Sequence, residues 1–218
     1  MISVKDLDQA IFESMQFSST PIERDDYSSW IKRSIGNKLI KAIIGFRRSG
    51  KSYLLKMLAQ FLLEQKFPSE NIFYLNFEND LLSGVKTVHD LRKIWELYLQ
   101  QRAIPNKPIY IIWDEIQLVK SWEKLARTLY ETEKYNIYIS GSNSKLLSGE
   151  LSSSLSGRSL ELYISPFSFS EYLKYLKLDS NKYYPNKSQI DQAFIKYLRR
   201  GGLAEQFELD SESASKYK

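Results

Sequence analysis

The sequence contains no cysteine and a single histidine, His89. The first absence excludes disulfides, thiolate metal sites, iron–sulfur clusters and a cysteine nucleophile. The second means that a Ser-His-Asp triad would have to use His89, and that a multi-histidine metal centre cannot be built. His89 lies in a helix lead-in, 87–90, where a lone histidine is a surface or capping residue, and it is assigned no role. Long apolar runs are missing too. The longest, such as 109–113, fall far short of the ~20 residues of a membrane span, so no membrane partner is expected. The first ten residues mix Lys5 with Asp6 and Asp8, which is not a signal-peptide pattern, and a soluble, cytoplasmic protein is expected. Charge of one sign is also scarce. The 31 basic and 26 acidic side chains leave a net charge of +5, spread along the chain, and no stretch makes a nucleic-acid patch by itself. What remains is average for a soluble protein: 218 residues, 43% apolar and 26% charged, enough for one large domain and a small appendage.

Short apolar runs alternate with helical patterns from Lys38 onward. Residues 40–44, 71–77, 109–113, 136–140 and 160–164 read as strands. Between them, Leu54, Met57, Leu58, Phe61 and Leu62 have the i, i+3, i+4, i+7, i+8 spacing of a helix, and helical spacing returns at 91–99 and 122–130. Such alternation implies βαβ units, a mainly parallel five-stranded sheet and helices on both faces, an α/β three-layer sandwich. After Pro166 the pattern becomes helical at 169–176 and 190–198, with a polar connection at 179–187 that holds Pro185. The expected organisation is a weakly patterned lead-in at 1–36 that packs on the core, a core at 37–166, a small helical lid at 167–210 and a polar tail at 211–218.

Gly45-Phe46-Arg47-Arg48-Ser49-Gly50-Lys51-Ser52 matches G-x-x-x-x-G-K-[ST] in full, between a strand and a helix. The two glycines let the backbone wrap with its N–H groups inward as an anion nest, and the helix N-terminus adds partial positive charge. Lys51 is placed to reach β- and γ-phosphates and Ser52 to ligate Mg²⁺. Arg47 and Arg48 either help hold phosphates or are simply exposed. Tyr53, directly after the motif, joins the candidate nucleotide contacts.

The strand 109–113 ends in Asp114 and Glu115. Two acids at the C-terminal edge of a strand suit a metal shell and a polarised water, with Asp114 on Mg²⁺ beside Ser52 and Glu115 as base. A phosphotransferase has less need of the second carboxylate, so hydrolysis is favoured over transfer. The next strand ends in small polar groups, and Ser142 and Asn143 are both candidate γ-phosphate sensors; either also serves as N-cap for a helix near 144–147. Arg158, just before the fifth strand, is either a surface residue or a finger that reaches a neighbour's γ-phosphate.

Together these residues carry a resemblance. The strings I-I-G-F-R-R-S-G-K-S, W-D-E-I-Q, I-S-G-S-N-S, L-S-G-R-S-L-E-L and P-F-S-F-S-E-Y-L, in that order from about Leu39 to Phe207, resemble prokaryotic and archaeal AAA-type P-loop ATPases. Those ATPases read G-P-R-R-x-G-K-T in the phosphate loop, then D-E-I-Q, T-G-S-x-S, G-R, P-L-S-F-x-E and a late G-G-[FL]-P-E turn, here Gly201-Gly202-Leu203-Ala204-Glu205. The resemblance implies a P-loop NTPase fold and ATP with Mg²⁺. It implies Lys51, Ser52 and Asp114 on phosphate and metal, Glu115 as base, Ser142 or Asn143 as sensor and Arg158 as a finger in a homo-oligomer. It also places Asn76 where related ATPases restrain the catalytic glutamate. Phe46 and Ala204 stand where the family has proline. Members continue into a C-terminal region that this chain does not include.

The leading expectation is therefore Mg²⁺-dependent ATP hydrolysis coupled to conformational change on a macromolecular partner, DNA or protein. The alternative is a nucleotide-gated binding module that hydrolyses slowly. No Asn-Lys-x-Asp string for reading guanine is found.

Overall fold

Strand alternation sorts the apolar side chains onto two faces of a single sheet. The computed structural model describes residues 2–17, 22, 24–142, 155–179 and 183–207. Five strands, β1 (Ile40–Gly45), β2 (Ile72–Asn76), β3 (Ile109–Asp114), β4 (Tyr135–Ser142) and β5 (Ser159–Ile164), lie in the order β2-β3-β4-β1-β5. All four pairings are parallel, as the strand–helix alternation predicts. Every residue of β1 and β3 is buried, the property of parallel strands covered on both faces.

One face carries Ile40, Ala42, Phe73, Leu75, Ile111 and Trp113 and packs on α1 (Val4–Met15), α4 (Val88–Gln101) and α5 (Trp122–Glu131). Here Phe73 lies 4.4 Å from the Tyr98 ring and 5.3 Å from Trp95. The opposite face carries Ile43, Tyr74, Ile112 and Tyr138 and packs on α2 (Asp25–Ser34) and α3 (Lys51–Glu64). Asp114 and Ser140 continue the alternation of this second face, which puts them on the side of α3.

The described residues among the first 36 hold two helices, α1 and α2, that pack on opposite faces of the sheet. Ser3 and Asp6 form a capping box for α1, and Leu7, Ala10 and Ile11 seat that helix in the core. Leu7, Ala10, Ile11 and Met15 keep the i, i+3, i+4, i+8 spacing of a helix, with the buried Ser14 at the remaining position. A third cluster joins Phe167, Tyr172, Leu173, Ile190, Ala193 and Phe207 between α6 (Phe169–Tyr175) and α7 (Tyr183–Arg200). The polar connection expected at 179–187 is shorter in fact, because α7 begins at Tyr183 and Pro185 sits in its first turn. Proline is tolerated there, where its missing N–H has no helical partner to lose. The Phe167 amide donates to the Gly202 carbonyl at 2.7 Å, and a Cβ on Gly202 would fall 2.1 Å from the Phe167 carbonyl oxygen. That close approach fixes the late glycine turn against the exit of β5. The tail expected at 211–218 and the helix expected near 144–147 lie outside the described residues.

Lys41 is fully buried in β1. Its Nζ donates to the Asn37 carbonyl at 2.6 Å and lies 4.5 Å from the centre of the Tyr138 ring. Burial, with a smaller contribution from Lys38, pulls the ammonium down from 10.5 to about 8. Between those values the unfolded chain holds a proton that the folded chain has released, so this residue makes stability rise with pH across the window. Lys41→Met removes the titration. The urea-unfolding free energy of the variant relative to wild type is expected to fall as pH rises from 7 to 10; a difference independent of pH would overturn this account.

Candidate active site

Parallel pairing brings all strand exits to one edge. Gly45 is level with Ser142 on one side and Ile164 on the other, and Asn76 is level with Asp114. Because β4 lies between β1 and β3, its polar end sits between the phosphate loop and the acidic pair. The loop itself is shaped by positive φ at Arg48 (66°) and Gly50 (102°). A Cβ on Gly45 would meet the Ile164 carbonyl oxygen at 2.4 Å and Ser49 Oγ at 2.8 Å, so only glycine lets β5 and the loop close on this point. Helix α3 starts at Lys51 with no side-chain cap, in contrast to the capping boxes of α1, α4 and α6. Its first amides are thereby left for an anion. Lys51, only 4% exposed, donates to the carbonyls of Phe46 (3.1 Å) and Gly45 (3.4 Å) and lies 3.5 Å from Glu115 Oε1.

Asp114 is wholly buried. Its carboxylate accepts hydrogen bonds from the hydroxyls of Ser140 and, at 3.4 Å, Tyr74, and the neighbouring Ser52 side chain also favours its charged form. Burial raises its pKa and outweighs the Ser140 and Ser52 side chains that favour the charged form. Burial, reinforced by the Asp114 charge, likewise raises the Tyr74 phenol. Glu115 follows at φ 55°, an uncommon conformation for a non-glycine residue that turns the chain out of the strand. Its amide donates to Ser140 Oγ at 3.1 Å, and its Oε2 accepts from the Gln117 amide. The structure thus gathers Lys51, Ser52, Asp114 and Glu115 at one sheet edge.

A cleft of about 580 Å³ opens beside them, within the usual ~300–1,000 Å³ of ligand pockets. Arg47, Arg48, Gly50, Ser52, Tyr53 and Glu115 border it, and Ile22, Tyr27, Met57, Phe167 and Tyr175 give it apolar and aromatic lining. Arg48 pairs with Glu205 of the late glycine turn at 2.8 Å, and the exposed Arg47 lies 3.7 Å from Glu78. Phe46 is 56% exposed, with its ring edge-on to Tyr163. Ser142 is the last residue of β4, paired with Gly45; Asn143 lies outside the described residues. The Asn76 side chain accepts the Glu78 amide at 3.0 Å in its own turn, and the side chain that bonds the Glu115 carboxylate is Gln117. Arg158 precedes β5, its carbonyl accepting from the Ile40 amide. A six-residue strand of ~20 Å separates that end of the sheet from the phosphate loop, so Arg158 does not reach the loop of its own chain.

Two contributors carry no sequence signal. Ser140 is a polar residue inside an apolar strand, and a buried hydroxyl between two acids is its only distinction. Arg24 lies in the weakly patterned lead-in. Its guanidinium donates to the Ser49 carbonyl of the loop, to Ser165 and Pro166 after β5, and to Glu171 of α6.

The profile of the AAA domain family matches residues 37–173. The chain belongs to the AAA domain family. Among curated relatives, an uncharacterised protein of Haemophilus influenzae is 37% identical over 186 residues, 85% of this chain and 44% of the relative. An uncharacterised Methanocaldococcus jannaschii protein is 34% identical over 85% of this chain and 41% of its own length. The chain therefore spans less than half the length of these relatives. Among solved structures, the Walker-type ATPase PABY2304 of Pyrococcus abyssi superposes with a TM-score of 0.55 at 16% identity, covering 87% of this chain and 68% of that one. The fold is thus that of P-loop ATPases. No helix among the described residues is long and apolar enough to cross a membrane.

Gly45→Ala is expected to force β5 away from the loop and weaken the fold by on the order of 1–3 kcal/mol. A urea midpoint equal to that of wild type would show that the loop can shift without cost.

Proposed function

We propose that this AAA domain binds ATP with Mg²⁺ and hydrolyses it. The observation that carries the reading is the meeting of the Lys51 amine, the Ser52 hydroxyl and the Asp114 and Glu115 carboxylates at an uncapped helix N-terminus beside the cleft. The hydroxyl and carboxylate of Ser52 and Asp114 are neighbouring hard oxygen donors, a fit for Mg²⁺, and these two residues would hold it. When bound, the ion neutralises charge on the phosphates.

The α3 amides and Lys51 bind the triphosphate, with Lys51 exchanging its carbonyl partners Gly45 and Phe46 for phosphate oxygens. Glu115 orients a water and takes its proton as the water oxygen bonds to the γ-phosphorus; the bond from that phosphorus to the β–γ bridging oxygen breaks, and ADP leaves with the electron pair. A kinase has less need of this second carboxylate, which favours hydrolysis over transfer. Ser142 or Asn143 is the proposed γ-phosphate sensor, while Arg47, Arg48 and Tyr53 flank the triphosphate. Arg158 acts in trans, because its distance from its own loop leaves a neighbouring copy as its target. Coupling to a macromolecular partner and a cytoplasmic location belong to the same proposal.

A second reading, a slowly hydrolysing nucleotide-gated module, is favoured by one feature. Both oxygens of Glu115 are engaged, one by Lys51 and the other by Gln117, and these partners stabilise the charged carboxylate and so weaken it as a base.

Lys51→Ala is expected to lose ATP affinity by at least tenfold in calorimetry, and unchanged affinity would overturn the phosphate-loop assignment. Glu115→Gln is expected to keep ATP binding and lower turnover by ~100-fold or more; turnover at the wild-type rate would remove Glu115 as base. Arg158→Ala is expected to lose activity that mixing with Lys51→Ala chains partly restores. Absence of restoration would return Arg158 to a surface role.

A further inference from the structure

The Arg24 guanidinium has five N–H donors in a rigid plane, and its contacts use the full set. Nε and Nη2 grip the two carboxylate oxygens of Glu171 at 2.6 and 3.2 Å. Nη1 donates to the carbonyls of Ser49 (3.1 Å) and Ser165 (2.9 Å), and Nη2 also faces the Pro166 carbonyl at 3.4 Å. The rings of Tyr27 and Phe167 each lie 4.3 Å from the guanidinium carbon. The residue is 9% exposed and borders the cleft. Its partner responds in kind: burial alone would raise the Glu171 carboxyl, but the bonds from Arg24 and the Ser168 amide outweigh burial and hold it below the ordinary glutamate value.

The Ser49 contact bears on the site. The peptide joining Ser49 to Gly50 is planar and trans, so its carbonyl and its N–H point in opposite directions. A carbonyl pulled toward Arg24 turns the Gly50 N–H the other way, away from Arg24, where a phosphate-loop donor is wanted. The same guanidinium holds the first turn of α6 through Glu171. We propose that Arg24 is a positioning residue: it sets the Ser49–Gly50 peptide so that the loop's amide faces the phosphates, and it makes α6 follow any movement of the loop. The role in nucleotide binding rests on the ATP-binding reading above. The link between loop and helix does not.

Lysine at this position keeps the charge opposite Glu171 but cannot span to Ser49, Ser165 and Glu171 together. The test therefore compares wild type with Arg24→Lys in the same chain, checked for native near-ultraviolet circular dichroism. Without nucleotide, amide hydrogen exchange is expected to rise several-fold in both 45–52 and 169–175 and to stay unchanged in β3. With nucleotide, ATP affinity is expected to drop about tenfold, while the affinity for adenosine, which has no phosphates, stays the same. Exchange unchanged in the loop, or equal losses for ATP and adenosine, would overturn the proposal and leave Arg24 a packing residue. If wild type binds no ATP, the functional reading fails, and the exchange comparison still decides the link on its own. Should Arg24→Lys not fold, Glu171→Gln, which leaves the guanidinium in place and weakens its anchor, is read in the same way; a loop unaffected by that change would equally overturn the link.

Discussion

A carboxylate without access to water organises this molecule. Removing an ion of that kind from solvent costs several kcal/mol unless its lone pairs are met. Asp114 is met by two hydroxyls from different elements, Ser140 on β4 and Tyr74 on β2, and the Ser52 side chain at the start of α3 also favours the charge. Any shift of those elements relative to β3 would leave the charge unpaired. The strand order, with β4 between β1 and β3, and the seating of α3 across the second face of the sheet are therefore bound to one side chain. Ser140 extends the constraint by accepting the Glu115 amide, so the residue placed to act on water is positioned from the same point.

Buried cations repeat the theme with backbone acceptors. Lys51 rests on the carbonyls of its own loop, Lys41 on the Asn37 carbonyl, and Arg24 on three carbonyls and one carboxylate. The consequences differ with the chemistry of the group. Lysine holds a single compact charge that exchanges one acceptor for another, which suits a side chain that meets phosphate. Arginine spreads its donors over a plane and gains most when every one is used, which suits a tie between segments. The exposed pair between Lys174 and Asp25 spans the same two helices as Arg24 and its neighbours, yet solvent screening leaves such a contact little energy. The connection between the lead-in and α6 accordingly rests on Arg24.

The phosphate loop and the acidic pair were legible in the sequence because their requirements are local. Glycine at 45 and 50 answers a close approach and a left-handed backbone, and an acid after an apolar run answers the end of a strand. Strands β1 to β4 were legible for the same reason, since burial on both faces demands continuous apolar runs, whereas β5, at the edge of the sheet, is only partly buried. Ser140 was not legible: a serine in a strand says nothing until the neighbouring strand is known to end in Asp114. Gln117 stood inside a quoted motif without a role, because only the turn after Glu115 brings its amide back onto that carboxylate. Arg24 was the least accessible. Its partners lie 25, 141 and 147 positions away, and no spacing rule connects positions so distant.

By itself, then, the sequence determined the chemistry on offer: a nest for phosphate, a lysine, a hydroxyl and two carboxylates, with cysteine chemistry and a multi-histidine metal centre excluded by composition. Tertiary structure decided which of these groups share one place and what holds them there. The physical reason is range. Backbone conformation and strand burial are set by a few neighbouring residues, so they leave a mark in spacing. The pairing of a buried charge is set by whatever the fold brings to it, and for Asp114 and Arg24 that was settled only when strands and helices far apart in the chain came together at one edge of the sheet.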